Sequence, residues 1–382
     1  MTMKKVLSRT LLLIAAEVLC ISAVIFTVSC SDSAGLSVSG LGVIHEPEFG
    51  GVYIRMTIDE FNAEGFEYGD SVRIAFSNGY VLEDLPYYNG YYTVTGNPLL
   101  IAYPGYDYIK AAINNGADLW DVAGLTETDT AEITLSARGK YADIQSARNI
   151  HYKDDRSLFP SDEVFANFRS IEAGKLKKDL VYRSASPCDN QHNRATYTDA
   201  LMAEAGVRYI IDLADSDAKI RGYISAEGFS CMNFLALYEA GKVDPVAMNM
   251  NYGSDEFRSK VAAAVGRMTE NEGPYLIHCT EGKDRTGFVC MLIKAFAGAS
   301  YDEIVRDYMI TYDNYYEISE QKDKKRYDVI IENVLDPMIG SMVGDSSIDI
   351  KTADLSVCAE KFLLSAGLSE ETIEALRTIL IG

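Results

Sequence analysis

The sequence predicts an α/β domain with a central sheet flanked by helices, preceded by a small β-rich domain. After about residue 161, short β-branched runs alternate with helical stretches, an order typical of a sheet covered on both faces. Before that point, short alternating runs separated by turn residues predict a β-rich module. The 382 residues are 48% hydrophobic and 24% charged, so the chain is long enough for more than one core.

The β-rich module is predicted over residues 36–135. Its expected strands share alternating apolar residues and are Val52–Ile58, Ser71–Phe76 and Tyr91–Val94. Turn signals stand at Ser77-Asn78-Gly79 and Asn89-Gly90, and one helix is expected from Tyr106 through Ile113. The tyrosines between Tyr87 and Tyr92 suit either a binding platform for a sugar or partner, or half-buried strand positions.

A polar connector is predicted over residues 136–161, followed by the α/β domain over residues 162–382. In that domain a helical stretch ends at Gly206, and strands are expected at Arg208–Leu213 and Tyr275–His278. The remaining expected elements are helical: Phe257–Met268, Gly287–Phe296, Tyr301–Tyr315 and Ala359–Ile379.

The first thirty residues predict an export signal, in which basic residues precede an apolar run from Leu11 to Val28. Thr27-Val28-Ser29-Cys30 resembles a bacterial lipobox, which makes Cys30 the expected lipid attachment site of a membrane-anchored surface lipoprotein. Two alternatives stay open: cleavage and secretion, or a retained membrane anchor, which Glu17 inside the run disfavours. All three place the body of the protein outside the cytoplasm.

Charge and residue spacing exclude several classes of function. The net charge of -21 repels polyanions, so nucleic acid is not an expected partner. Five cysteines remain after residue 30, and their odd number and irregular spacing predict neither a disulfide framework nor a zinc site. His45, His151 and His192 are scattered, so neither a metal nor another cofactor is expected.

The stretch His278-Cys279-Thr280-Glu281-Gly282-Lys283-Asp284-Arg285-Thr286-Gly287 lies between an apolar strand and an apolar helix. A strand–loop–helix turn of this kind directs backbone N–H groups and the positive end of the helix at one point, where an anion binds. Arg285 adds a planar fork of donors for two phosphate oxygens. Because this positive field stabilises a thiolate, Cys279 is expected to be a nucleophile beneath a bound phosphate.

This motif resembles the loop of the protein tyrosine phosphatase superfamily, in its branch of bacterial tyrosine-specific and lipid phosphatases. The resemblance extends from about Phe165 to Leu380. Further matching segments are Asn167-Phe168-Arg169, Tyr182-Arg183-Ser184, Ile211-Asp212-Leu213, Asp307-Tyr308, Ala366-Gly367-Leu368-Ser369 and Leu376-Arg377. Two departures stand out: Ser170-Ile171-Glu172 replaces the usual Asp-Leu-Gly, and Ala214 replaces an Arg.

The resemblance implies roles for the loop residues. Cys279 attacks phosphorus and forms a phosphocysteine, Arg285 binds the phosphate, and Asp284 is the favoured general acid. His278 orients the loop. The phosphate-binding residues implied are Thr280, Glu281, Gly282, Lys283 and Thr286, the last of which also stabilises the departing sulfur. Asp212, Asp215 and Asp244 stay open as alternative acids.

Lys283 has two interpretations. As a second cation in the loop it favours substrates with extra phosphates, as in related phosphoinositide phosphatases. Alternatively it forms an ion pair with Glu281 or another carboxylate.

The expected function is therefore cysteine-dependent phosphomonoester hydrolysis without a cofactor. Phosphotyrosine is the expected substrate, with phosphoserine, phosphothreonine and phosphoinositides as further candidates, so the partners are phosphorylated proteins, peptides or lipids. The alternative is a surface lipoprotein whose phosphatase-like domain captures phosphorylated ligands with weak turnover. The oligomeric state stays open.

Overall fold

The computed structural model describes residues 35–382. The predicted export signal and its lipid attachment residue Cys30 lie outside these residues. Within them, the first body is a closed barrel of seven strands, in the order β1-β2-β6-β5-β4-β3-β7. The strands are β1 Ser37–His45, β2 Val52–Ile54, β3 Ser71–Phe76, β4 Val81–Tyr88, β5 Pro98–Ile101, β6 Ile109–Ile113 and β7 Thr130–Ala137. Two short helices, α1 Ile58–Ala63 and α2 Leu119–Ala123, complete it.

The barrel confirms β3 and the turn after it, and corrects three other predictions. The run predicted as strand Val52–Ile58 forms β2 only to Ile54, and helix α1 begins at Ile58. The helix predicted over Tyr106–Ile113 is wrong, since Ile109–Ile113 is strand β6, paired with β2 and β5. Its positions are mostly buried on both faces, and such a pattern does not separate a short helix from a barrel strand.

Tyr91–Val94 forms no strand, because of how β4 and β5 pair. These two strands are parallel, with Tyr88 opposite Ile101, so the residues between them must carry the chain back along the sheet. The segment from Asn89 to Asn97 is therefore a loop. Tyr87 and Tyr88 are buried in β4, whereas Tyr91 and Tyr92 are half-buried in the loop.

The predicted connector contains a helix, α3 Ala142–Arg148, and a short 3₁₀ turn at Arg156–Leu158. The helix is held from both sides. Ala147 is fully buried in the core of the second body, and Gln145 Nε2 donates to Asn89 Oδ1 of the barrel at 2.7 Å. The polar composition of the connector therefore did not indicate the ordered helix that lies between the two bodies.

The second body has a five-stranded sheet, in the order β11-β10-β12-β9-β8. Strands β9, β12, β10 and β11 run parallel, and β8 is antiparallel to β9. The strands are β8 Arg169–Ser170, β9 Val181–Ser184, β10 Tyr209–Asp212, β11 Val243–Pro245 and β12 Tyr275–His278. Because the carboxyl ends of parallel strands meet at one edge, the loops after Ser184, Asp212 and His278 lie together.

Helices cover both faces of this sheet, which confirms the predicted fold class. Alternate residues enter opposite cores: Ile211 and Ile277 belong to one apolar cluster, and Ile210 and Leu276 to another. The helices are α4 Asp162–Ala166, α5 Ala195–Glu204, α6 Asp217–Ile224, α7 Met232–Glu239, α8 Asp255–Gly266, α9 Asp284–Phe296, α10 Tyr301–Tyr316, α11 Lys324–Ile330, α12 Asp336–Val343, α13 Leu355–Ser365 and α14 Glu370–Leu380. A 3₁₀ turn, Arg267–Thr269, follows α8, and a π turn, Ile331–Leu335, joins α11 to α12.

The single helix predicted over Ala359–Ile379 is two helices, α13 and α14. Gly367 has a left-handed φ of +110°, and the Ser369 hydroxyl accepts the N–H of Thr372, so one helix ends and the next begins there. None of the helices between residues 35 and 382 has the length and apolar content needed to cross a membrane.

Candidate active site

The predicted phosphate loop joins the end of β12 to the start of α9. Cys279 follows the last residue of β12, and Asp284 is the first residue of the helix. Within residues 35–382, no backbone N–H group from Thr280 to Thr286 donates to a protein acceptor. N–H groups without an acceptor at the start of a 13-residue helix are what the predicted anion cradle requires.

Gly282 gives the loop its shape. Its φ is +68°, and a Cβ at this position would lie 2.1 Å from the carbonyl oxygen of Ser184. Both the left-handed backbone and the close approach of β9 therefore require glycine. The Gly282 carbonyl accepts from Arg183 Nη2 at 2.8 Å and from Asn167 Nδ2 at 3.2 Å, which fixes the loop from behind.

The three side chains expected to act on phosphorus lie around this cradle. Cys279 is buried, with 3% of its surface exposed. Arg285 makes only long contacts, from Nη1 to Met248 O at 3.3 Å and from Nη2 to Thr280 Oγ1 at 3.4 Å. The Thr286 hydroxyl is buried and has no hydrogen-bond partner among residues 35–382, so it is free to interact with a sulfur or phosphate.

Lys283 and Glu281 pair with each other. Lys283 Nζ lies 3.2 Å from Glu281 Oε2, and the Tyr152 hydroxyl donates to Glu281 Oε1 at 2.6 Å. Burial disfavours the charge on Lys283, but the carboxylates of Asp284 and Glu281 outweigh burial and hold the Lys283 pKa well above its ordinary value. The arrangement matches the ion-pair interpretation of Lys283, and this charge is compensated inside the protein.

Four charged side chains under the loop form a buried network that sequence reasoning missed. Asp307 Oδ1 contacts Arg169 Nε at 3.1 Å, and Asp307 Oδ2 contacts Arg183 Nη1 at 2.9 Å and Lys294 Nζ at 2.8 Å. Burial would raise the Asp307 pKa, but the three cations outweigh it and hold the pKa well below its ordinary range. The sequence did contain a signal for this network, namely charged residues within apolar runs, such as Arg183 in β9 and Lys294 in α9.

Replacing Asp307 by asparagine is expected to destabilise the fold strongly. The change leaves three buried cations without their carboxylate, which costs about 3–5 kcal/mol or roughly 10 °C in Tm. Asp313→Asn on the same helix, which removes a surface pair with Lys322, is the matched control and should have little effect. Thermal unfolding at pH 7 measures both, and equal Tm values for the two variants would contradict this role of Asp307.

His278 lies behind the loop, fully buried, in register with Asp212 of β10. Its Nδ1 lies 3.4 Å from the Cys279 carbonyl oxygen, and its Nε2 lies 3.9 Å from Asp212 Oδ2. The His278 carbonyl accepts the N–H of Leu213 at 2.9 Å. His278 is thus placed to set the position of the strand end that carries Cys279.

The four candidate acids occupy different environments. Asp284 lines a surface cleft, with its side chain 39% exposed and 3.7 Å from Lys283 Nζ. Asp212 is fully buried, and its Oδ1 accepts the N–H groups of Ala214 and Asp215. Burial raises the Asp212 pKa.

Two of these acids are engaged elsewhere. Asp215 is 1% exposed and accepts the Tyr223 hydroxyl at 3.2 Å. Asp244 lies in β11 opposite Ile211 of β10, and burial raises its pKa although the charge of Arg267 lowers it. Of the four candidates, only Asp284 is among the residues that line the surface cleft.

One buried cluster has the donor atoms for a metal ion. A sulfur of Cys188 and carboxylate oxygens of Asp212 and Asp215 lie within 4.8 Å of one another. The cluster lies beside the phosphate loop, because the N–H of Ser186, two residues before Cys188, donates to the Thr280 carbonyl. Cys279 is not a member, so assays with a chelator separate any contribution of this cluster from that of the thiol.

Comparison with known proteins gives the family. The model of the tyrosine phosphatase family matches residues 164–382. The triple specificity protein phosphatase PtpB of Mycobacterium tuberculosis is 26% identical over 122 residues, which are 28% of this chain and 44% of PtpB. The chain thus spans less than half the length of this curated relative.

Solved structures give weaker matches. The core catalytic domain of the PP-IP phosphatase SIW14 from S. cerevisiae is 21% identical, with a TM-score of 0.27, over 44% of this chain and 91% of that one. An uncharacterized conserved protein from Thermotoga maritima is 23% identical, with a TM-score of 0.23, over 26% of this chain and 36% of that one. The family match covers the whole α/β domain and includes the loop at Cys279, and on this evidence the chain belongs to the tyrosine phosphatase family.

Proposed function

We propose that this protein hydrolyses phosphomonoesters through a covalent phosphocysteine on Cys279, with phosphotyrosine as its preferred substrate. The observation that carries the proposal is that the seven N–H groups from Thr280 to Thr286, which directly follow the buried Cys279 in the chain, have no acceptor among residues 35–382. Family membership supports the same chemistry.

The proposed reaction has two steps. In the first, the Cys279 sulfur forms a bond to phosphorus while the bond to the leaving oxygen breaks, and Asp284 gives that oxygen a proton. In the second, water attacks phosphorus, its proton passes to the Asp284 carboxylate, and the sulfur leaves as a thiolate. The Thr286 hydroxyl is available to donate to that sulfur. The N–H groups and Arg285 stabilise the charge on the phosphoryl oxygens in both steps.

The burial of the nucleophile supports phosphotyrosine over shorter substrates. Because Cys279 is only 3% exposed, a phosphate group has to approach a sulfur that lies below the protein surface. The phosphate of phosphotyrosine projects farther from a peptide backbone than that of phosphoserine or phosphothreonine. We propose these two, and phosphoinositides, as secondary substrates.

The test is phosphate release from phosphotyrosine and phosphoserine by the purified full chain, in the presence of EDTA. We expect turnover of both substrates, faster on phosphotyrosine, and no loss of rate with the chelator. Absence of turnover on aryl, peptide and lipid phosphates would overturn the proposal. If phosphate release depended completely on added divalent metal, the thiolate mechanism would be contradicted. The cluster of Cys188, Asp212 and Asp215 would then be the candidate metal site.

A further inference from the structure

A cleft of about 160 Å³ lies between the barrel and the α/β domain. On the barrel side it is lined by residues of two loops, among them Tyr91, Thr93 and Asn114. On the other side it is lined by Asp284 and Tyr252, so the barrel faces the same opening as the proposed proton donor. This arrangement, called here the interdomain cleft, brings barrel residues to the substrate side of the phosphate loop.

Arg148, the last residue of α3, lines the interdomain cleft together with Asp284. Its guanidinium lies 5.6 Å from the ring centroid of Tyr92. It forms neither an ion pair nor a side-chain hydrogen bond with any group in residues 35–382, although the chain carries an excess of 21 negative charges. In the neighbouring loop, Lys283 is already paired with Glu281, and Arg285 is the residue proposed to bind the phosphate that is removed. Arg148 is the only cation among the described residues that line the cleft, so a negatively charged ligand there would meet it.

The helix that carries Arg148 is fixed by both bodies. Ala147 is packed in the core of the α/β domain, and Asp143 pairs with Lys325 of α11 at 2.7 Å. On the barrel side, Gln145 exchanges two hydrogen bonds with Asn89. A guanidinium on a helix held in this way needs less ordering when a ligand binds, so it loses less free energy to conformational entropy.

We propose that Arg148 and the barrel loops form a second anion subsite, which binds a negatively charged group on the substrate other than the phosphate being removed. The inference rests on the proposed function, because the second anion belongs to the same substrate whose phosphate binds at the neighbouring loop. The donors are the Arg148 guanidinium and the polar side chains of Thr93 and Asn114, and the aromatic ring of Tyr91 forms a wall. The recognised chemistry is a second phosphate or a carboxylate.

The test compares substrates that differ only in the second anion. One pair is phenyl phosphate and 1,4-phenylene bisphosphate, and the other is a phosphotyrosine peptide with either Glu or Gln flanking the phosphotyrosine. Arg148→Gln should lower kcat/KM about tenfold for the member with the second anion, and leave the other member unchanged, since a charge-assisted hydrogen bond is lost. The pair that shows the effect identifies whether the anion comes from a small polyphosphate or an acidic peptide.

Two controls make the result specific. Arg208→Gln removes an exposed surface cation that pairs with Glu272, and it should change neither pair. Arg148→Lys keeps the positive charge, so it should retain part of the preference for the substrate with the second anion that Arg148→Gln loses. The subsite would be overturned if Arg148→Gln lowered kcat/KM equally for both members of a pair, or if it lowered kcat/KM in neither pair.

The subsite can also be tested without turnover. Calorimetry measures the affinity of the same ligands for Cys279→Ser, with and without Arg148→Gln. The difference in affinity between the two members of a pair gives the contribution of the second anion to binding. If Cys279→Ser binds the ligand with the second anion more tightly, and Arg148→Gln abolishes this preference, the subsite is supported even if hydrolysis is absent. Absence of hydrolysis by the unmodified chain would count only against the proposed function, and equal binding of both members of each pair would count against the subsite.

Discussion

Cys279→Ser is expected to lose essentially all phosphatase activity, with kcat at least about 10⁴-fold below that of the unmodified protein. A serine hydroxyl is a far weaker acid than a thiol, so it does not supply the anionic nucleophile that the proposed mechanism needs. The substitution changes one atom at a position that is 3% exposed, so the fold and the anion cradle should persist. Hydrolysis of an aryl phosphate measures the rate, and calorimetry with inorganic phosphate measures the retained binding.

The matched control is Cys358→Ser, another buried cysteine, which lies in α13 outside the loop. Its activity should stay within a few-fold of the unmodified protein. If Cys279→Ser kept measurable turnover while Cys358→Ser lost it, the assignment of the nucleophile would be wrong. Circular dichroism of both variants separates a loss of chemistry from a loss of folding.

Asp284→Asn is expected to lower kcat/KM, which reports formation of the phosphocysteine, by about 10²- to 10⁴-fold on substrates whose leaving group must be protonated. Asparagine keeps the size of the side chain but has no proton to give. The effect should be largest for phenyl phosphate and phosphotyrosine, and much smaller for p-nitrophenyl phosphate, whose leaving phenolate is stable without a proton. This dependence on the leaving group is what a structural role of Asp284 would not produce.

Asp302→Asn provides the control, since Asp302 lies in the first turn of α10 as Asp284 does in α9. The variant should keep full activity on all three substrates. The same measurements on Asp212→Asn, Asp215→Asn and Asp244→Asn complete the comparison of the four candidate acids. If one of these variants, and not Asp284→Asn, showed the dependence on the leaving group, the proton donor would have to be reassigned.

The α/β domain was largely predictable because its signals are local. Strand β12 was predicted with its observed bounds, and α9 and α10 nearly so, since each has a clear apolar pattern and turn residues at its ends. The phosphate loop was predictable for the same reason: its nucleophile, glycine and arginine fall within seven consecutive residues. Gly282 shows why the spacing is strict, because β9 leaves no room for a side chain there.

The barrel was harder to predict because its strands are defined by their neighbours. Residues Ile109–Ile113 are buried through pairing with β2 and β5, and nothing within that stretch distinguishes it from a helix. The parallel pairing of β4 and β5 likewise turned an expected strand, Tyr91–Val94, into a loop. Closure into a barrel depends on contacts between distant segments, which a local pattern does not contain.

The supporting parts of the site were missed for a related reason. The network around Asp307 brings together residues from β8, β9, α9 and α10, which are separated by up to 138 positions in the chain. Arg148 was assigned to a polar connector, and its place beside Asp284 depends on how α3 packs between the two bodies. Sequence spacing predicted the groups proposed to react with phosphate, whereas the buried network behind the loop and the proposed second anion subsite could be recognised only from the fold.

The most direct test of the central proposal is detection of phosphate bound to Cys279 during turnover. The protein is mixed with p-nitrophenyl phosphate, whose leaving group needs no proton, and is then quenched in acid within milliseconds, digested, and examined by mass spectrometry. We expect a phosphate on the peptide that contains Cys279, at a higher level in Asp284→Asn, because the same aspartate assists hydrolysis of the intermediate. Turnover with no phosphate on Cys279 at any quench time, or phosphate on a different residue, would contradict the phosphocysteine mechanism.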